Sequence, residues 1–321
     1  MKVNKIKSSL SNSKKKKINK IILIGGNIYG QDIPFKNILS VLDKLKLNIH
    51  LITQKKRLDF KSKSYKTFKH FLKNQKIEYS IFEKYRQVER YIIKNSDPRK
   101  TIIFSLNCSW KIQDKTIKRF PYLFNYHNAS LRYYRGAACQ SWGLIMRDKI
   151  CEINIHKINK TLDDGDVLLS KKINIANLKN LNKIYSKISK YEKNFFKKFF
   201  YLFISNNLTI KKSETKNSYY YPRLNQKKDS FINWNWSIKD IESFTHAFDD
   251  PYDGSKGKVL NKIYYLKKPK IEELKYTHAF QRGLIIRIIK KRIFVVVRDG
   301  VISFLCSNIE NINLLGKRFK V

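Results

Sequence analysis

Asn125 and His127 lie two residues apart in the run Phe124-Asn125-Tyr126-His127-Asn128-Ala129-Ser130. On an extended strand, residues two apart share a face, so this amide and this imidazole point the same way. Downstream, Thr161-Leu162-Asp163-Asp164-Gly165-Asp166 reads as a turn dense in acids. An amide, an imidazole and a carboxylate suit acyl transfer to an amine. The amide N–H can donate to a carbonyl oxygen as that oxygen gains negative charge. An imidazole titrating near ~6.5 exchanges protons at neutral pH. A carboxylate can orient the imidazole and take the proton that the attacking amine releases. Spacing alone leaves a plainer reading open: a histidine at a strand end is often a satisfied structural residue, and acid-rich turns are common.

The elements that must hold these residues alternate in type. Ile21-Ile22-Leu23-Ile24 is a short apolar run ending in Gly25-Gly26, as a buried strand ends in a turn. Helical spacing follows at Ile38, Leu39, Val41, Leu42 and Leu45. Further strands are expected over 48–53, 77–82, 101–105, 122–126 and 151–158, with Ile153, Ile155 and Ile158 turned inward. A helix is expected over 85–94 and another within 177–205, while Lys-rich 54–69 reads as an exposed loop leading into a helix. Alternating strands and helices predict an α/β, Rossmann-like, mostly parallel sheet whose ligands bind beyond the carboxyl ends of its strands. Asn125 and His127 fall at such an end. Gly25-Gly26 lacks the full dinucleotide fingerprint, so no dinucleotide is expected.

The C-terminal part differs in character. Ser237-Ile238-Lys239-Asp240 resembles a capping box that starts a helix through Phe248, which Asp249-Asp250-Pro251 ends. Strand runs follow over 259–266, 284–289, 293–297 and 301–306, the last two joined by a tight turn at Asp299-Gly300. These predict a small OB-like β-barrel. The expected organisation is a basic tail over 1–18, a catalytic domain over 19–205, a linker over 206–218 and the small domain over 219–321.

The chain has 321 residues, with 68 Lys and Arg against 25 Asp and Glu, for a formal charge of +43. A charge of that size suits a polyanion partner. The excess is mostly Lys, however, spread along the chain among abundant Asn and Ile. That pattern also fits a coding bias acting on solvated positions, and both readings stand. Aromatics at 13% and hydrophobics at 42% exclude wholesale disorder. Cys108, Cys139, Cys151 and Cys306 show neither paired nor zinc-like spacing, so reduced thiols and no metal are expected. The apolar run over 21–24 is too short for a signal core or a membrane span. No membrane insertion and a cytoplasmic location are therefore expected.

The chain resembles the folate-dependent N-formyltransferases, which include glycinamide-ribonucleotide, methionyl-tRNA and amino-sugar-nucleotide formyltransferases. Their pattern is N-x-H-x-S-L-L-P-x-Y-R-G followed by L-D-x-G-D. This chain has N-Y-H-N-A-S-L-R-Y-Y-R-G and then L-D-D-G-D. Asp163 stands in the family's register to His127, and Arg135-Gly136-Ala137-Ala138 and Trp142 also match. Tyr221-Pro222-Arg223-Leu224-Asn225 and Ala247-Phe248-Asp249-Asp250-Pro251-Tyr252 resemble the family's C-terminal domains.

The resemblance implies 10-formyltetrahydrofolate as co-substrate and Asn125, His127 and Asp163 as the catalytic set. It implies folate contacts near Trp110, Lys111, Ile112, Leu162 and Asp163, and acceptor contacts at Tyr134, Arg135 and Gly136. Arg135 would meet a phosphate or the folate tail, or pin its own loop. Asn128 and Arg132 replace the family's two prolines, a change expected to act on acceptor shape more than on donor chemistry. The early Gly-Thr-Pro turn of the tRNA enzymes is replaced by Gly25-Gly26-Asn27.

The acceptor implied is an amino sugar on a nucleotide, for surface polysaccharide synthesis, with methionyl-tRNA as the alternative and a homodimer left open. A basic nucleic-acid-binding protein without activity is a third reading, and the intact Asn125, His127 and Asp163 argue against it. Other residues take plainer roles. His156 is expected at the surface or behind the site. His246 and His278 are structural, Trp234 and Trp236 pack on the small domain, and Asp164 and Asp166 hold the turn. Nothing near Cys139 argues for a nucleophilic thiolate.

Overall fold

The computed structural model describes residues 16–26, 33–61, 65–212, 218–273, 277–306, 308–309 and 314–320. Residues 1–15 of the expected tail and 213–217 of the expected linker lie outside these. The chain divides into two compact units. The first draws on residues 1–127, 154–170 and 191–213, and the second on 128–153, 171–190 and 214–321.

Strands β1 (Lys20–Gly25), β2 (Asn48–Thr53), β3 (Glu78–Ile81), β4 (Thr101–Leu106) and β5 (Leu123–His127) are joined by helices. After the two-residue β6 (Arg135–Gly136) come β7 (Ile150–Lys157) and β8 (Val167–Asn174). The seven-stranded sheet has the order β3-β2-β1-β4-β5-β7-β8. Its first five strands are parallel, and β7 runs antiparallel to β5. The chain winds outward from β1 in one direction through β2 and β3, and in the other through β4 and β5. Such a reversal opens a crevice at the carboxyl ends of the strands.

Helices cover both faces, which is why Ile21, Ile22, Leu23 and Ile24 are all fully buried. On one face, Ile22, Ile24, Ile103 and Leu123 pack with Val88, Ile92 and Phe120. On the other lies the carboxyl half of the helix Leu181–Ile204. Phe104 meets Phe196 edge-on at 6.1 Å, and Phe124 meets Phe199 at 5.3 Å. Lys197 and Lys198 face water from that helix, as its amphipathic pattern requires. Period-two alternation therefore sends Leu123, Asn125 and His127 to one face of β5, and Phe124 and Tyr126 to the other.

Three local expectations change. Lys55–Leu58 forms a helical turn, and Arg57 and Leu58 are buried where an exposed loop was expected. The guanidinium of Arg57 donates to the carbonyl of Gly26 at 3.3 Å. Strand β8 is not foreshadowed in the sequence, because its Lys and Ser residues mask the alternation of an edge strand. The run over 259–266 is not one strand. It breaks into β10 (Ser255–Val259) and β11 (Lys262–Glu272) around Leu260, which turns with φ 52°.

The second unit holds β6, which pairs in parallel with β9 (Tyr220–Tyr221). It also holds β10 and β11 with β12 (Ile285–Ile289), β13 (Arg292–Val297) and β14 (Gly300–Cys306). These five form an antiparallel sheet in the order β10-β11-β14-β13-β12. Its helix Ile238–Phe248 starts as expected, with the Ser237 hydroxyl accepting from the Asp240 amide at 3.2 Å. Trp234 is fully buried and stacks on Phe319 at 4.7 Å. All four cysteines are free. No helix among the described residues is long and apolar enough to cross a membrane.

Candidate functional site

Strand β5 carries Asn125 and His127 to the carboxyl edge of the parallel strands. Strand β7 returns beside it with Asn125 opposite His156 and His127 opposite Asn154. Directly paired residues of antiparallel strands share a face, so Asn125, His127 and His156 project together. The chain then leaves β7 and turns to present Asp163. That turn is pinned by two bonds, from the Lys157 amide to the Asp166 carbonyl at 2.9 Å and from the Asn159 side chain to the Asp164 carbonyl at 2.9 Å. Gly165 is required there, because a Cβ would fall 1.7 Å from the carbonyl oxygen of Lys157. Asp163 itself has φ 50°, a left-handed conformation that aspartate tolerates better than most residues.

The four side chains converge. Asn125 Nδ2 stands 3.3 Å from Asp163 Oδ1 and 3.0 Å from His156 Nε2. His127 Nδ1 lies 3.9 Å from Asp163 Oδ2, and His156 Nε2 lies 3.7 Å from Asp163 Oδ1. The two imidazoles meet edge to face at 6.3 Å. The side chains of His127, Asp163 and His156 are 9%, 7% and 2% exposed, while Asn125 is half-buried. The carboxylate fixes the sense of the amide. With the amide reversed, its oxygen would face a carboxylate oxygen, two acceptors with no hydrogen between them. A buried carboxylate between two imidazoles, with an amide donor beside it, can accept a proton and stabilise an oxyanion in one small volume. Among the described residues no group of three or more His, Cys, Asp or Glu side chains could hold a metal ion.

The remaining expected residues are distributed differently. Ile112 is buried, Trp110 packs on the same apolar cluster, and Lys111 is exposed. The segment after β4 adjoins the turn that carries Asp163, because Lys160 pairs with Asp114 at 2.8 Å. Leu162 is 45% exposed at that turn. Tyr134, Arg135 and Gly136 belong to the second unit. Arg135 donates to the Ser218 hydroxyl at 3.1 Å. Gly136 has φ 103° and approaches the Tyr221 carbonyl too closely for a Cβ. The Tyr134 hydroxyl donates to Asp148 Oδ2 at 2.5 Å. Burial pushes both the phenol and the Asp148 carboxyl above their ordinary ranges. This pair lines a cavity of about 520 Å³ in the second unit with Tyr133, Cys139, Tyr219 and Tyr221.

Two residues add to the expected set. Of the two places expected for His156, the surface or behind the site, it takes the second: it is buried and bonded to Asn125. Its polar face of β7 looks solvent-exposed in sequence, but a sheet covered on both sides has no wet face there. Glu192 lies on the opposite face of β5, taking bonds from the Tyr126 hydroxyl at 2.7 Å and the Asn37 amide at 3.0 Å. Burial pushes its carboxyl up to about 7. The only signal for it is one acid on the apolar stripe of a helix.

Residues 21–199 match the family described as formyl transferase, and residues 225–317 match its C-terminal domain. A methionyl-tRNA formyltransferase of Prochlorococcus marinus subsp. pastoris is 31% identical over 216 residues, spanning 62% of this chain and 66% of that protein. The N-formyltransferase from Helicobacter canadensis, solved with folinic acid and dTDP-3-aminofucose, superposes with a TM-score of 0.65 at 18% identity, covering 90% of this chain and 99% of that one. WlaRD, a sugar 3N-formyl transferase solved with dTDP and 5-N-formyl-THF, gives 0.64 at 19%, covering 91% and 99%. At such identities the two superpositions establish a shared fold.

Proposed function

This chain belongs to the formyl transferase family, and we propose that it moves a formyl group from 10-formyltetrahydrofolate to the primary amine of a nucleotide-linked amino sugar used in surface polysaccharide synthesis. The observation that carries the reading is the convergence of Asn125, His127 and Asp163 at the carboxyl edge of the sheet. The folate supplies an activated formyl carbon bonded to N10. Trp110, Ile112 and the turn through Leu162 and Asp163 border the same edge and would hold its ring. Acceptor contacts are assigned to Tyr134, Arg135 and Gly136.

Each residue then has one task. The neutral amine attacks the formyl carbon, and the carbonyl oxygen becomes an oxyanion. The Asn125 amide and the His127 imidazole donate to that oxygen. Asp163 accepts the proton leaving the amine nitrogen. When the carbon–N10 bond breaks, that proton returns to N10, so the products are an N-formyl amine and tetrahydrofolate. Burial of Asp163 and His127 keeps water from competing for these bonds.

A second reading, formylation of methionyl-tRNA, is favoured by the 31% identity to such an enzyme and by the charge of +43. The purified protein, given the formyl donor, separates the two when offered 3-amino and 4-amino nucleotide-sugars beside charged initiator tRNA. A formylated nucleotide-sugar with affinity falling only shallowly with salt supports the first reading. A salt slope that reports many neutralised phosphates supports the second. Failure to formylate any of these amines refutes both.

A further inference from the structure

We infer that His156 is a positioning residue for the transfer step, holding one hydrogen of the Asn125 amide so that the other can be handed from Asp163 to the developing oxyanion. The inference rests on the proposed formyl transfer and adds a residue to it.

Both ring nitrogens of His156 are engaged. Nδ1 lies 2.7 Å from the carbonyl oxygen of Lys157, and Nε2 lies 3.0 Å from Asn125 Nδ2. A carbonyl only accepts, so Nδ1 carries a hydrogen, and an amide NH2 only donates, so Nε2 meets Asn125 with its lone pair. The backbone of β7 thereby sets the tautomer, and at 2% exposure solvent has no part in it. The register of β5 and β7 places this lone pair directly opposite Asn125.

The Asn125 amide has two hydrogens and two acceptors. The contact to Asp163 Oδ1, at 3.3 Å, is longer than the one to His156. As Asp163 takes the proton from the amine, it loses its negative charge and with it most of its hold on the amide. His156 undergoes no such change. One hydrogen therefore stays anchored, the amide keeps its plane, and the second hydrogen, no longer held by a charged Asp163, is left to bond an oxyanion that forms beside that carboxyl. Without the anchor, the amide can rotate about its terminal torsion and present its own oxygen to the negative charge.

Three variants test this. His156→Gln places a side-chain carbonyl where Nε2 was, within reach of Asn125. His156→Asn is equally polar but too short to reach it, and His156→Leu fills the space without an acceptor. The Leu and Asn variants are expected to lower kcat about 10- to 100-fold, with KM for the formyl donor within about twofold of wild type. The Gln variant is expected to regain kcat to within about fivefold of wild type. A role in packing alone predicts unchanged kcat in every variant that folds, and no difference between Gln and Asn.

The Asn125 side-chain amide resonances, assigned by their loss in Asn125→Ala, provide a readout independent of turnover. In wild type and His156→Gln they should be well separated and slow to exchange, and in the Asn variant they should move toward free-amide values. Wild-type kcat in folded His156→Asn, or amide resonances that do not respond to His156 at all, overturns the inference. If wild type itself transfers no formyl group, the proposed function fails, and the resonances alone decide whether His156 anchors Asn125.

Discussion

Replacing Asp163 by Asn removes one negative charge and almost no volume. The carbonyl of the new side chain can still accept from Asn125 where Oδ1 does at 3.3 Å, but without the charge that strengthens that bond. What is lost is the group that takes the amine proton and the charge that holds His127, 3.9 Å away, in orientation. Removing a positioned base typically costs about 100-fold or more in rate, and each tenfold loss corresponds to about 1.4 kcal/mol of barrier. Turnover is therefore expected to fall at least about 100-fold, a barrier rise of about 2.7 kcal/mol. Stability should barely move, because the charge removed is buried and its desolvation cost goes with it. Steady-state formyl transfer, measured beside a thermal melt of the same sample, reads both quantities. Near-normal turnover in the folded variant would show that Asp163 is not the proton acceptor.

Other outcomes follow from the same geometry. His127→Ala should also lower turnover at least about 100-fold with the fold intact, and a folded variant of wild-type activity would strike that residue from the mechanism. Gly165→Ala puts a Cβ 1.7 Å from the Lys157 carbonyl. The turn carrying Asp163 must shift, so a stability loss of about 1–3 kcal/mol and a fall in kcat are expected, and an unchanged denaturation midpoint would refute the close approach. Glu192 titrates at about 7 in the fold, against an ordinary glutamate value of 4.5. A raised folded value means that its contribution is fully present below about pH 4.5 and is lost as pH climbs through about 7, by up to about 3 kcal/mol. Glu192→Gln should flatten that part of the stability profile between about pH 5 and 8 in urea titrations; two parallel profiles would sink the assignment.

Strand alternation makes the pairing of Asn125 with His127 legible at once, because period two follows from the geometry of any extended chain. Leu123 and Phe124 show the same rule, packing against opposite helix layers. The helix Ile238–Phe248 is equally readable, since Ser237 and Asp240 satisfy its first amides locally. Asp163 is a harder case. Its turn is evident, but nothing near it in sequence points back to Asn125, and only the resemblance to formyltransferases joins them. Arg57 reads as one more exposed lysine-like charge until the carbonyl of Gly26, far away in sequence, is seen to receive it.

The residue types, the face each takes on its own strand and the caps of its helices follow from the chain itself, because those preferences are settled by neighbours a few positions away. Which strands lie side by side is decided by tertiary packing. The antiparallel return of β7 sets His156 against Asn125. The burial of both sheet faces converts an apparently wet position into a dry one that is 2% exposed. A one-residue slip of β7 would leave the sequence pattern untouched and turn His156 to the other side of the sheet. The chemistry of the site thus depends on a register that no local preference specifies.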